Sequence, residues 1–212
     1  MSRFLVACFV LALVAACGGG NPVPAAVTAS TISVQPGDLP SGMTKCDLTG
    51  DIDSFLSKEK TADASTYAST KSEWGDAKSK GATSAYTAFY TDSTKHCDAI
   101  KGQGSSIGSA TYKLVVNFVI QFKDEASAAK GYGSESVFNV SPQQLRASGQ
   151  PIVEGNNTGL SKNSIFLSSL IANQSYFIAY WQNKTFLVIL AILNVDGAAS
   201  KKVAISENSR IK

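Results

Sequence analysis

Eight consecutive positions, Phe186 to Leu193, are apolar without exception. Successive side chains of a strand point to opposite faces. A strand with no polar position must therefore be covered on both faces, which makes it a central strand. It belongs to a longer run, 185–194, and two similar runs precede it at 164–171 and 175–182. The breaks between them are short and polar, Ala172-Asn173-Gln174 and Asn183-Lys184. Strands spaced this closely read as a meander of two hairpins.

A fourth strand is legible upstream. Over residues 112–123, Tyr112, Leu114, Val116, Phe118, Ile120 and Phe122 point one way, and Lys113, Val115, Asn117, Val119, Gln121 and Lys123 the other. Residues 82–91 fit a helical period as well as a strand, but their Thr and Tyr content favours a strand. Helical spacing covers 51–60, where Asp51 and Asp53 sit in a first turn that favours anions. A second helix spans 64–80, polar and Ser/Thr-rich, with Gly81 as its stop. Asp92-Ser93, Asp124-Glu125 and Asp196-Gly197 open three more helices. Residues 137–159 are turn-rich and form a long connection. The sum is an α+β fold: a largely antiparallel sheet of four to five strands with helices packed on at least one face. A ferredoxin-like or related two-layer sandwich would suit it.

The N-terminus has a different character. Arg3 is followed by 13 residues, Phe4 to Ala16, without a polar side chain. One charge and a short apolar run have the shape of a secretory signal. The run is shorter than the roughly 20 residues that a helix needs to cross a bilayer. It ends Leu13-Val14-Ala15-Ala16-Cys17, with three glycines after it. This junction resembles the lipobox of bacterial lipoproteins. The resemblance implies cleavage before Cys17 and a diacylglycerol on its thiol, so that lipid holds the protein to the extracytoplasmic face of a bacterial cell membrane. Ordinary secretion, with Val14 and Ala16 framing the cut, is the alternative. Residues 1–16 are thus expected to be a signal peptide. Residues 17–42, with four of the six prolines, are expected to be a flexible tether, and 43–212 a single globular domain.

Cys8 leaves with the signal and Cys17 goes to lipid. Cys46 and Cys97 remain, an even number in an exported chain, and the simplest reading is one disulfide. A metal site built from Cys46, His96 and Cys97 lacks any ligand spacing that supports it, so neither a metal nor another cofactor is expected.

Composition narrows the function classes. Hydrophobic residues make up 44% of the 212 positions and charged residues 17%, too apolar a balance for a disordered chain. A net charge of +3 is too small for a nucleic-acid binder. The single histidine and the lack of a G-x-S-x-G elbow argue against a Ser-His-Asp enzyme. The favoured reading is a non-catalytic, membrane-anchored lipoprotein that binds a ligand or partner. A structural or accessory envelope protein is the alternative, and a hydrolase using carboxylates is a third. Tyr176, Tyr180 and Trp181 read first as core and inter-layer packing, because the neighbouring strands are equally apolar; the functional reading makes them the candidate binding residues, as an aromatic platform. Tyr176 and Tyr180 share one strand face, and Phe177 and Trp181 the other.

Overall fold

A computed structural model describes residues 26–102, 104–134 and 140–212. The helices are α1 (Ala29–Ile32), α2 (Ile52–Ala62), α3 (Ala64–Ser79), α4 (Thr94–Ile100), α5 (Glu125–Gly133), α6 (Pro142–Ala147) and α7 (Gly197–Ser209). The strands are β1 (Thr44–Lys45), β2 (Gly50–Asp51), β3 (Ala82–Thr91), β4 (Leu114–Phe122), β5 (Ile152–Glu154), β6 (Asn163–Ile171), β7 (Gln174–Asn183) and β8 (Phe186–Leu193). These strands pair antiparallel in one sheet ordered β1-β3-β4-β8-β7-β6-β5, with β2 also on the outer edge of β3.

The wholly apolar strand β8 lies between β4 and β7, as two-sided burial requires. One face of the sheet presents Phe89, Phe118, Ile120, Ile189, Tyr180 and Ile165. Helices α2 and α3 pack over its β3 side, α5 over the centre and α6 over β6. The opposite face presents Tyr90, Val115, Val119, Phe177, Trp181 and Leu190 and is covered by α1 and α7. The architecture is therefore three layers, with a core on each side of the sheet.

Two expectations about the sheet are corrected. Among the described residues it has eight strands where four to five were expected. The extra strands, β1, β2 and β5, hold two or three residues each, too few to show an alternating pattern. The strand order and the helices on both faces also replace the ferredoxin-like two-layer sandwich.

The packed part of the chain begins earlier than Met43. Residues 28–39 lie against the second core, with Ala29, Ile32 and Val34 buried. This N-terminal strap is held by polar contacts. Arg210, just past α7, donates to the carbonyls of Ile32 (2.8 and 2.9 Å) and Ser33 (3.0 Å). It also forms a two-pronged pair with Asp38 at 2.9 and 3.0 Å. The Val34 N–H donates to Asn117 Oδ1, and the Val34 carbonyl accepts from the Tyr90 hydroxyl. Small residues and prolines give this stretch the composition of a linker, while its anchoring partners lie far away in sequence. The signal 1–16, Cys17 and the tether as far as residue 25 lie outside the described residues.

Cys46 and Cys97 are joined in a disulfide with a Cα–Cα distance of 5.2 Å. It ties α4 to the segment just after β1, and both cysteines are buried.

Candidate ligand-binding cleft

Helices cover the first face of the sheet unevenly. On β4 and β8, Val115, Leu190 and Ile192 of the second face are buried. Val116 and Ala191, which face the other way, keep part of their surface open. They form the floor of a cleft of about 450 Å³ between α3 and the central strands. A volume of this size falls within the range of small-molecule sites, roughly 300–1,000 Å³.

Phe118 and Ile189 continue the floor, and Phe55 and Phe89 also line it. The three phenylalanines form a cluster. Phe55 and Phe89 stack at 5.6 Å, and Phe118 meets them edge-on at 5.9 and 6.0 Å. Edge-to-face pairs of this kind add to the stability that burial alone gives the wall.

The facing wall is polar. Ser65, Thr66, Ser69, Thr70 and Glu73 of α3 line it. Steps of one, three and four residues keep these positions on one helical stripe. The helix begins at an N-cap, Asp63, whose carboxylate accepts from the N–H groups of Ser65 and Thr66, both at 3.0 Å. Its second carboxylate oxygen accepts from the Thr66 hydroxyl. Among the described residues the lining includes one carboxylate, Glu73, and no lysine, arginine or histidine.

The residues singled out from sequence fall elsewhere. Tyr180 and Trp181 are both 0% exposed, so neither can serve as a binding platform. The Tyr180 hydroxyl donates to the Gly131 carbonyl, and burial pushes its pKa far above the usual phenol value. Trp181 points into the second core, on the opposite face from the cleft. Alternation along β7 assigns the two faces, but it carries no information on which helices cover them. Tyr176 remains partly exposed, and its hydroxyl lies 2.7 Å from Gln174 Oε1 and 3.2 Å from the Gly108 carbonyl, two acceptors that share its one proton. Gly108 is itself part of the cleft wall, so Tyr176 supports that wall without lining it.

His96 lies outside the wall. Its ring stacks on Tyr112 at 4.1 Å and hydrogen-bonds Asp92. Burial works against ionisation of Asp92, but that bond and the Lys113 N–H outweigh it and hold its carboxyl below the usual range. Among the described residues no cluster of His, Cys, Asp and Glu could hold a metal ion. Glu73 is the one carboxylate among the described residues that line the cleft.

None of the cleft residues is among those that sequence alone singles out. One signal for them exists: hydroxyl residues recur at helical spacing along α3, where an ordinary solvent face carries more lysine and glutamate.

No protein-family model matches the chain, and comparison with curated proteins finds no relative. Among solved structures, the extracellular domain of PknH from Mycobacterium tuberculosis is similar, with a TM-score of 0.46 and 11% identity. The match covers 85% of this chain and 95% of that one.

Proposed function

We propose that this protein is a lipid-anchored, extracytoplasmic binding module that holds a small ligand in the cleft between α3 and strands β4 and β8, and does no chemistry itself. The cleft carries the reading. It combines an apolar floor with a few convergent polar groups, the usual make-up of a ligand site. The signal sequence and Cys17 support the location, and a buried disulfide suits an oxidising compartment. Ala191 lines the open space from the floor, so a Trp there would fill it. Native mass spectrometry of the exported protein should find a co-purifying small molecule on the wild type and none on Ala191→Trp. Identical spectra from the two would count against the reading.

A second reading, an accessory envelope subunit, has one observation in its favour. Leu170 and Ile171, at the tip of the β6–β7 hairpin, are 71% and 45% exposed. Exposed apolar residues of this kind suit a contact with another protein. A photo-crosslinker at position 170 that captures no discrete partner in intact cells would remove this reading.

A further inference from the structure

The chemistry of the two walls restricts what can occupy the cleft. We infer that its ligand is an uncharged single-chain amphiphile, with a hydroxyl-bearing head against α3 and a hydrocarbon body on β4 and β8. This rests on reading the cleft as a binding site.

The floor of Val116, Phe118, Ile189 and Ala191 offers no hydrogen-bonding side chain. A polar group laid there would lose its water without replacement, which is costly. A hydrocarbon chain gains from the same surface. The α3 wall is the reverse. Ser65, Thr66, Ser69 and Thr70 bring hydroxyl side chains to one stripe, and that of Thr66 already donates to Asp63. A hydroxyl can donate and accept, and one that already donates still accepts, so the stripe matches a head group that does both.

Charge then separates head groups of similar size. A carboxylate or phosphate entering the cleft finds no cation among the described lining residues and meets Glu73. The start of α3 would otherwise attract an anion through its N–H groups. Asp63 already occupies the Ser65 and Thr66 N–H groups with its own negative charge. Among the described lining residues a cationic head has only Glu73 to pair with, and Glu73 is already engaged within the protein. A neutral, hydroxylated head meets neither obstacle.

The test compares three probes with the same alkyl length: monolauroylglycerol, laurate and dodecyltrimethylammonium. Each is titrated calorimetrically, below its micelle concentration, into the full exported chain carrying Cys17→Ala, so that no acyl group of its own competes. Monolauroylglycerol should bind with a single site and at least about tenfold tighter than either charged probe, the effect of leaving a charge unpaired. Ala191→Trp should abolish that binding. Ser69→Trp, at an exposed position on the rim, is a second plug that leaves the core untouched. Ser69→Lys should improve laurate by about tenfold, the effect of one new charge pair, without improving the glyceride. If a charged probe binds as tightly as the glyceride and both plugs block it, the ligand class is wrong while the cleft reading stands. If no probe binds, or binding ignores both plugs, the inference is overturned. Identical native mass spectra of wild type and Ala191→Trp would then overturn the cleft reading as well.

Discussion

Arg210 directs its guanidinium at one short segment of chain. Its side chain is 26% exposed and that of Asp38 only 8%. Burial works against ionisation of Asp38, but hydrogen bonds from Arg210, Ser206 and the Gln35 N–H outweigh it and hold its carboxyl below the usual range. A carboxyl depressed in this way stabilises the fold above its ordinary pKa, and that contribution is lost as the pH falls through the folded value. Removing one partner leaves the other charge desolvated. Arg210→Ala should therefore cost about 3 kcal/mol, the low end for a broken buried pair. Hydrogen exchange should locate the loss in residues 28–39, with the central strands still protected. Glu207 on α7 has the opposite sign. It is fully buried, and burial pushes its pKa well above the ordinary value of 4.5, against smaller opposing effects of Asn117 and Arg210. The negative charge of Asp38 adds to the upward push. The folded state thus keeps a proton that the unfolded chain releases. Stability from this group is complete below pH 4.5 and declines as the pH rises toward the folded value. Urea midpoints of Glu207→Gln between about pH 5 and pH 8 should lack that decline, which for one proton approaches about 1.4 kcal/mol per pH unit. An unchanged slope would assign the dependence to another group. At this scale the sequence is least informative. Tyr180 and Trp181 look as available as Tyr176 along the chain, and only the helices above and below β7 separate them.

Among the elements, caps and stops read well because they are local. Asp51, Asp63, Ser93, Asp124 and Asp196 each cap a helix through a side-chain oxygen, and all but Asp63 stand at starts that residue type and spacing reveal. The ambiguous stretch 82–91 is a strand, β3, paired along its length with β4. The connection 137–159 holds α6 and β5, elements too short for periodicity to show. Within it, residues 137–139 lie outside the described residues. The disulfide belongs to this scale because it staples α4 beside β1 across a separation of 51 residues. Replacing both cysteines by serine should lower stability by about 4 kcal/mol on the chain-entropy account. The Thr91 hydroxyl contacts both sulfurs, at 3.7 and 3.2 Å, and offers the new serines a partner. A chemical-denaturation midpoint that does not fall would contradict the account.

For the whole molecule, the apolar run of β8 is the deciding feature, since a strand buried on both faces needs a layer on each side. That requirement is legible in sequence. Which segment supplies the second layer is not. Helix α1 spans four residues, and the buried stripe of α7 sets Ser200 and Glu207 beside Val203 and Ala204. The cleft is a property of this scale too. It exists because the α2–α3 pair and α5 leave Val116 and Ala191 partly uncovered, and no single segment encodes that gap. Anchoring is tested on the whole chain. Two or more acyl chains hold a protein to a bilayer where one holds it only marginally. A clickable fatty acid should therefore label the wild type, and Cys17→Ala should lose the label and leave the membrane fraction. Label retained on the variant would disprove lipidation at Cys17.

The grip of Arg210 on residues 32–38 also brings the first and last elements of the fold side by side, with Lys212 two positions further on. The folded part is close to a closed ring. A short peptide bridge from residue 212 to the strap, with new ends opened in the Ala172-Asn173 turn, should give a circularly permuted protein with the same two cores.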